Sequence, residues 1–419
     1  MLNIISIYII IIMTKYEPFI YKIPSINVDD IYKDNSVMHS ININQPLISL
    51  GFHSFIHRTK SAMDITKKLE TKNEFYNIVN TFENVINDYN EDINNISQTY
   101  FALKKNETIL SRDFYKMWEI LNMFNIADNK HINLIGLNDM HGSFTQAFIK
   151  YREKFHTISK DNISYVSHNN INSNYSKIVN NIKITDSSIL DVDTIHQIKS
   201  SLKEQRGDLI IADGSMTWNN DNYMEQEAYI LIYSEILAAI SLQAKDGNFV
   251  LKIFETFTHV TIKLIYLLSS FYDEVILYKP YFSRETNSER YLICRKFKSV
   301  SDLDKKIKIL EKTLISMKSN IFIIDVFPQF NVYDVNIFKY INILLVNTQQ
   351  IMVNLIVQYI KSNNYFSENY HAYHSKQIES TKWWISTYFV NKLIDFSKTI
   401  KNKLQYNESE LNIFVNKIL

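Results

Sequence analysis

Two short segments decide the fold: DLIIADGS (Asp208–Ser215) and NFVLKIFE (Asn248–Glu255). Each contains an apolar run of strand length, and the first ends in an Asp-Gly pair that is typical of a turn. Between them, Tyr223–Ala244 has the apolar spacing expected of a helix. A strand, a helix and a second strand in this order predict a βαβ unit within a mainly parallel sheet.

Further apolar runs extend this pattern in both directions. They are His131–Leu137 and Asn162–Val166 before the βαβ unit, and Val275–Tyr278 and Arg290–Cys294 after it. Glycine is favoured where a backbone turns sharply or approaches a ligand closely, and five of the six glycines fall between residues 136 and 247. We therefore expect a ligand site in this region, at the carboxyl ends of the parallel strands.

The pattern divides the chain into three regions. Residues 1–105 are predicted to be mostly helical after an extended, proline-containing start, residues 106–298 form the α/β domain, and residues 299–419 are helical again. The apolar run at the start is too short to span a bilayer and lacks the features of a signal peptide, so we interpret residues 1–12 as a non-native extension before Met13. Ile337–Ile360 is apolar but interrupted by polar residues at helical intervals, which predicts a buried or amphipathic helix and no membrane partner.

Composition excludes several classes of protein. The formal net charge is only +1, so any nucleic-acid surface must be local. The single cysteine, Cys294, excludes an internal disulfide framework and a cysteine-based zinc cluster. The histidines lack accompanying acid clusters, so we predict no metal site, and no P-loop is present.

Four polar residues stand in unusual surroundings. Lys252 lies inside an apolar strand, where burial is costly unless the ammonium group is paired or functional. Asp213 ends the preceding strand, and Glu289 precedes the last strand in KPYFSRETNSERYLICRKF (Lys279–Phe297). Lys116 lies among aromatic residues in the amphipathic segment SRDFYKMWEI (Ser111–Ile120).

The order and spacing of these four segments resemble those of the FtsJ/RrmJ-like RNA ribose 2′-O-methyltransferases, and among them the mRNA cap enzymes of eukaryotes and large DNA viruses. The resemblance covers residues 110–298. It implies an α/β, Rossmann-like seven-stranded methyltransferase sheet with helical N- and C-terminal additions, and S-adenosyl-L-methionine as cofactor. The helix around Lys382-Trp383-Trp384 resembles the terminal helix of large-virus members.

The resemblance also implies a role for each of these four residues, which are called the tetrad below: Lys116, Asp213, Lys252 and Glu289. Lys252 is the general base, Lys116 is the neighbouring cation, and Asp213 and Glu289 orient the lysines and the ribose. A ribose 2′-hydroxyl is a poor nucleophile, so its proton must be removed as the methyl group is transferred. A lysine serves as base when burial and a second cation lower its pKa.

A cofactor site is expected in NLIGLNDMHGSFTQAF (Asn133–Phe148), which resembles the family's cofactor loop. Met140 and His141 stand where the family has Ala and Pro. LDVDTI (Leu190–Ile195) resembles a second cofactor segment and gives Asp191, with Asp193 and Asp186 as alternatives. The predicted cofactor residues are Asp139, Gly142, Ser143, Phe144, Asp191 and Asp213.

The expected partner is RNA, most specifically capped mRNA, with other capping or transcription proteins as associates in host cytoplasm or a virion. Arg112 and Arg284 are the predicted RNA-binding residues because they flank tetrad segments, and Arg58–Lys60 is a weaker candidate. Two alternatives remain open. One is methylation of rRNA or tRNA, and the other is a catalytically inactive RNA-binding scaffold, which the Met140-His141 substitution motivates.

Overall fold

The computed structural model describes most of the chain. The described residues are 16–46, 48, 50–67, 75–84, 93–139, 142–156, 160–167, 182–186, 189–202, 205–216, 219–319, 321–332, 335–362 and 368–418. Met140, His141 and the first 15 residues lie outside these ranges.

Strands and helices alternate through the middle of the chain. The strands are β1 (Phe19–Ile23), β2 (Val37–Ser40), β3 (Asn133–Leu137), β4 (Asn162–Ser167), β5 (Ile182–Asp186), β6 (Gly207–Ala212), β7 (Gln243–Ile253), β8 (Tyr272–Lys279), β9 (Arg290–Phe297) and β10 (Phe322–Val326). The helices are α1 (Leu50–Ser61), α2 (Asp64–Lys67), α3 (Ile93–Tyr100), α4 (Asp113–Phe124), α5 (Ser143–Phe155), α6 (Val192–Ser201), α7 (Met224–Glu227), α8 (Tyr229–Leu242), α9 (His259–Phe271), α10 (Leu303–Met317), α11 (Asn336–Ser362), α12 (Glu368–Tyr388) and α13 (Ser397–Ile418). Short 3-10 turns cover Asp29–Tyr32, Phe75–Val79 and Asp221–Tyr223.

The central sheet has the order β1-β8-β9-β7-β6-β3-β4-β5. Strands β5, β4, β3, β6 and β7 run parallel, whereas β9 is antiparallel to both β7 and β8. Without β1, the other seven strands form a Rossmann-like α/β sheet, which confirms the predicted fold class. Because β1 pairs antiparallel with β8, the N-terminal region adds an eighth strand that the sequence did not predict.

Three parallel strands end level with one another at the centre of this sheet. Leu137 pairs with Ala212, and Ala212 pairs with Leu251. The residues that follow β3 and β6, and those that end β7, therefore meet at one edge. This register places Asp213 beside Lys252.

The regions on either side of the α/β domain pack against it. Strand β2, from the N-terminal region, pairs with β10, from the C-terminal region. Among the described residues, α11 is the one helix long and apolar enough to cross a membrane. It buries Ile337, Phe338 and Ile341 in the main core, as the interrupted apolar pattern predicts.

Helix α12 contacts the tetrad helix α4 through a buried carboxyl group. The Nε1–H of Trp384 donates to Glu119 Oε2 at 2.7 Å, and the backbone N–H of Tyr281 donates to Oε1 at 3.0 Å. Tyr278 donates a third hydrogen bond. Burial raises the pKa of Glu119 to about 7, although these three donors favour its carboxylate. This network ties α12 to the helix that carries Lys116.

We expect Trp384→Phe to lower the free energy of unfolding by about 1–3 kcal/mol, because it leaves one oxygen of the buried Glu119 without its donor. Urea denaturation measures this change. Trp383→Phe removes a similar area of ring without removing a donor to Glu119, so it should cost less. Equal losses in the two variants would contradict the role assigned to this hydrogen bond.

Candidate active site

The end of β7 carries a buried ion pair. Lys252 Nζ lies 2.9 Å from Asp213 Oδ1 and donates to the Asp213 carbonyl oxygen at 3.1 Å. The Lys252 side chain is 9% exposed and the Asp213 side chain is 10% exposed. Asp213 follows β6 directly, so the parallel register of β6 and β7 brings the two residues together.

A second buried ion pair joins α4 to the start of β9. Lys116 Nζ lies 2.6 Å from Glu289 Oε1 and 2.6 Å from Asp113 Oδ1. Lys116 is almost fully buried in the first turns of α4. Asp113 was not predicted as a site residue, although its spacing of three from Lys116 on one helix was visible in the sequence.

The two pairs influence each other electrostatically. Burial lowers the pKa of Lys252, but the carboxylates of Asp213 and Glu289 outweigh burial and raise it above the ordinary value. Burial raises the pKa of Glu289, but Lys116 and Lys252 outweigh burial and lower it to about 2. Burial likewise lowers the pKa of Lys116, and Glu289 and Asp113 raise it overall. Both lysines are therefore charged at neutral pH, and Lys252 is more basic than the sequence analysis expected.

Tyr291 fixes the position of Glu289. Its hydroxyl donates to Glu289 Oε1 at 2.9 Å, and its backbone lies opposite Lys252 in the β7–β9 ladder. The Phe144 ring packs 5.6 Å from the Tyr291 ring. The side chain of Phe144, a predicted cofactor residue, thus packs in the hydrophobic core that also contains Tyr291.

The turn after β3 is held by Asp139. Its carboxylate accepts the backbone N–H of Thr145 at 2.9 Å and that of Phe144 at 3.4 Å, so it caps the N-terminus of α5. Gly142 has a φ of 69°, a left-handed conformation that favours glycine. Ser143 Oγ lies 2.8 Å from Ser111 Oγ, which joins this turn to the start of α4.

The turn after β6 rests on a buried acid that the sequence analysis missed. A Cβ placed on Gly214 would lie 2.2 Å from Glu235 Oε1, and Asn138 Nδ2 donates to the same oxygen at 3.2 Å. Burial raises the pKa of Glu235 to about 8. Glu235 on α8 thus supports the turns after both β3 and β6. It lies in an apolar helix pattern, and an acid at such a position was the available signal.

Asp191 immediately precedes α6, is exposed, and forms an ion pair with Lys318. Asp193 is also exposed in the first turn of α6, and Asp186 ends β5. The cofactor role of Asp191 stays a prediction.

Arg112 and Arg284 converge on one carboxylate, that of Glu83. Arg284 Nε donates to Glu83 Oε1 at 2.6 Å, and Arg112 Nη1 lies 3.3 Å from both oxygens. Glu83 is buried, whereas the two arginines keep 19% and 28% of their side chains exposed. Two guanidinium groups thus share the buried carboxylate of Glu83. In the weaker candidate stretch, Lys60 pairs with Glu255 at 2.7 Å.

The α/β domain is similar in sequence to known proteins. Residues 109–297 match the FtsJ-like methyltransferase family. The chain is 37% identical over 111 residues to a cap-specific mRNA (nucleoside-2′-O-)-methyltransferase 1 of Trypanosoma cruzi, covering 26% of this chain and 31% of that protein. It is 41% identical over 88 residues to a cap-specific mRNA (nucleoside-2′-O-)-methyltransferase of Autographa californica nuclear polyhedrosis virus, covering 21% and 34%.

A longer match extends beyond the α/β domain. The chain is 23% identical over 303 residues to an uncharacterised protein of Acanthamoeba polyphaga mimivirus, covering 71% of this chain and 73% of that protein. By contrast, the chain spans about a third of the length of the trypanosome and baculovirus relatives.

We expect Gly214→Ala to lower the free energy of unfolding by about 1–3 kcal/mol, because the added methyl group must displace the hydrogen-bonded carboxyl group of Glu235. Gly51→Ala is the matched control, since a Cβ at Gly51 meets nothing within 4 Å. That variant should be unchanged or more stable by up to about 1 kcal/mol, because alanine favours the helix. Thermal or urea unfolding of both variants tests this, and a Gly214→Ala protein of normal stability would contradict it.

Proposed function

We propose that the FtsJ-like methyltransferase domain formed by residues 109–297 transfers a methyl group from S-adenosyl-L-methionine to a ribose 2′-hydroxyl of RNA, at the 5′ cap of mRNA. The observation that carries this proposal is the pair of buried lysine–carboxylate contacts at the carboxyl edge of the sheet. The cap-specific relatives support the choice of RNA and of the cap.

The residues at this edge fit the proposed cofactor. Four acids and two lysines meet there, and burial raises the pKa of two of the acids, Asp139 and Asp213. A ligand that carries a positively charged sulfur and an amino group favours the ionised forms of these acids. The glycine turns at Gly142 and Gly214 permit close approach of a ligand to the backbone. The acids are Asp113, Asp139, Asp213 and Glu289, and the lysines are Lys116 and Lys252.

In the proposed mechanism, Lys252 Nζ accepts the proton of the ribose 2′-hydroxyl. Bound S-adenosyl-L-methionine supplies the electrophilic methyl group. Lys252 must first be neutral, and its pKa falls when a further positive charge enters its surroundings, because like charges disfavour protonation. Asp213 then stabilises the ammonium group that forms, and Lys116 keeps Glu289 ionised.

A cavity beside Glu289 is the proposed site for a part of the RNA other than the ribose that is methylated. It has a volume of about 380 Å³, within the range of small-ligand pockets. Ser288 and Arg290, the two neighbours of Glu289 in sequence, line it. The aromatic rings of Tyr16, Phe82 and Tyr281 line another part of the cavity, and aromatic faces stack well on nucleobases. We place the 5′-terminal nucleoside of the RNA in this cavity.

We expect Lys252→Ala to reduce methyl transfer about 10²–10⁴-fold, the usual effect of losing a positioned general base. The assay follows transfer of a labelled methyl group to capped and uncapped RNA of the same sequence. Lys263→Ala is a control, since Lys263 is also a buried lysine but pairs with Asp325 outside the site. Normal turnover by Lys252→Ala would refute the mechanism, and equal rates on capped and uncapped RNA would refute the cap assignment.

We expect Arg284→Ala to weaken RNA binding and to reduce its dependence on salt. RNA affinity falls with salt by about 0.7 logarithmic units per neutralised phosphate on a single strand, so the slope should decrease by about that amount. Arg284→Lys retains the charge and should retain the slope. Cofactor affinity should be unchanged in both variants. Identical slopes for the wild type and Arg284→Ala would remove Arg284 from the RNA path.

A further inference from the structure

Lys279 holds the loop that leads to Glu289. It ends β8, and the loop of residues 280–289 connects it to β9. Its Nζ donates to the Asn287 carbonyl at 2.7 Å, to the Glu289 carbonyl at 2.9 Å and to Ser283 Oγ at 3.0 Å. These three acceptors all belong to the loop and match the three N–H groups of the charged form of Lys279, whose pKa burial lowers to about 7.

We propose that Lys279 is a positioning residue, which sets the place of the Glu289 carboxylate by fixing the loop's backbone on both sides of Ser288. This inference rests on the proposed function of the tetrad. The three hydrogen bonds of Lys279 all go to the loop, so it acts on the tetrad through the loop and Glu289.

The geometry gives Lys279 strong control over the loop. Two of its hydrogen bonds go to backbone carbonyl groups two residues apart, so they fix the backbone on both sides of Ser288. Ser283 Oγ also donates to the Glu289 carbonyl at 3.2 Å, which closes the loop at its other side. Lys279, at the end of β8, therefore bonds both to the first half of the loop at Ser283 and to its last residues, Asn287 and Glu289.

The position of the Glu289 carboxylate depends on this placement of the loop. Glu289 Oε1 lies 2.6 Å from Lys116 Nζ and 2.9 Å from the Tyr291 hydroxyl, so a small shift of the side chain would break both contacts. A misplacement of about 1 Å in a catalytic site can cost about 10²-fold in rate. Arg284 lies in the same loop, so its contact with Glu83 depends on the same arrangement.

Lys298 is a matched control at the opposite end of the β8–β9 pair. It follows β9, is half-buried like Lys279, and donates to the backbone carbonyl groups of Ser269 and Ser270 at 3.1 and 3.4 Å. Lys298→Gln therefore removes a similar set of ammonium–carbonyl bonds far from Glu289. Its effect measures general loss of stability.

The first measurement is independent of RNA and cofactor. Hydrogen–deuterium exchange of the 280–289 loop should quicken at least about 10-fold in Lys279→Gln and remain at the wild-type rate in Lys298→Gln. Unchanged exchange in Lys279→Gln, or equal quickening in both variants, would overturn the proposal. If Lys279→Gln does not fold, Lys279→Met is measured instead; its side chain has a similar length and no N–H donor, so wild-type exchange there would overturn the proposal.

The second measurement is methyl transfer across pH. We expect kcat to fall about 10–100-fold in Lys279→Gln with little change in cofactor affinity, and to stay normal in Lys298→Gln. Lys252 faces Asp213, Glu289 and Asp113, which raise its pKa, so displacing Glu289 lowers that pKa. The rising limb of kcat/KM against pH should therefore move to lower pH. An unchanged limb and normal kcat would refute the positioning role, whereas absence of methyl transfer by the wild type would refute the proposed function and leave the exchange result standing.

Discussion

The burial of Lys252 is the constraint on which the rest of the site depends. Removing an ammonium group from water costs several kcal/mol, and partners with good geometry must offset this cost. Asp213 supplies the direct contact. The Glu289 carboxylate, which is paired with Lys116, adds an electrostatic attraction to Lys252. These partners come from three separate segments, so the site is complete only when β6, β7, β9 and α4 are all in place. The charge of Lys252 is therefore compensated only when the strands have this order in the sheet.

The flanking regions complete this arrangement. Glu83, from the N-terminal region, holds Arg112 and Arg284 beside the tetrad. Helix α12, from the C-terminal region, reaches Glu119 on α4 through Trp384. Gln377 of the same helix donates to the carbonyl groups of Asn77 and Asn80 at 2.7 and 2.8 Å, which fixes the segment that carries Glu83. The walls of the site are thus built from all three regions of the chain.

Residues whose local pattern is unusual could be predicted from the sequence. A lysine in an apolar strand and an Asp-Gly at a strand end identified Lys252 and Asp213, and the spacing of four segments supplied the fold. Glu83 and Glu235 were missed because their partners are far away in sequence. The contacts of Lys279 were missed because they depend on how the loop between β8 and β9 folds. Strand β1 was missed because five residues after a proline carry little periodicity, and its pairing with β8 is decided by tertiary structure. The raised pKa of Lys252 was missed because the sequence does not show how many carboxylates surround it.

The pairing of β1 with β8 has a consequence for synthesis on the ribosome. Phe19 leaves the exit tunnel long before its partner Lys279 is translated. Strand β1 therefore remains unpaired with β8 for most of elongation. Contacts of such long sequence separation form slowly, and an unpaired strand is a site for association with other chains. Helix α13 contributes a still later contact, from Asn407 Nδ2 to the Ile20 carbonyl group. Nascent chains stalled before residue 272 would therefore expose a segment that chaperones can bind, and its protection would begin only once β8 has emerged.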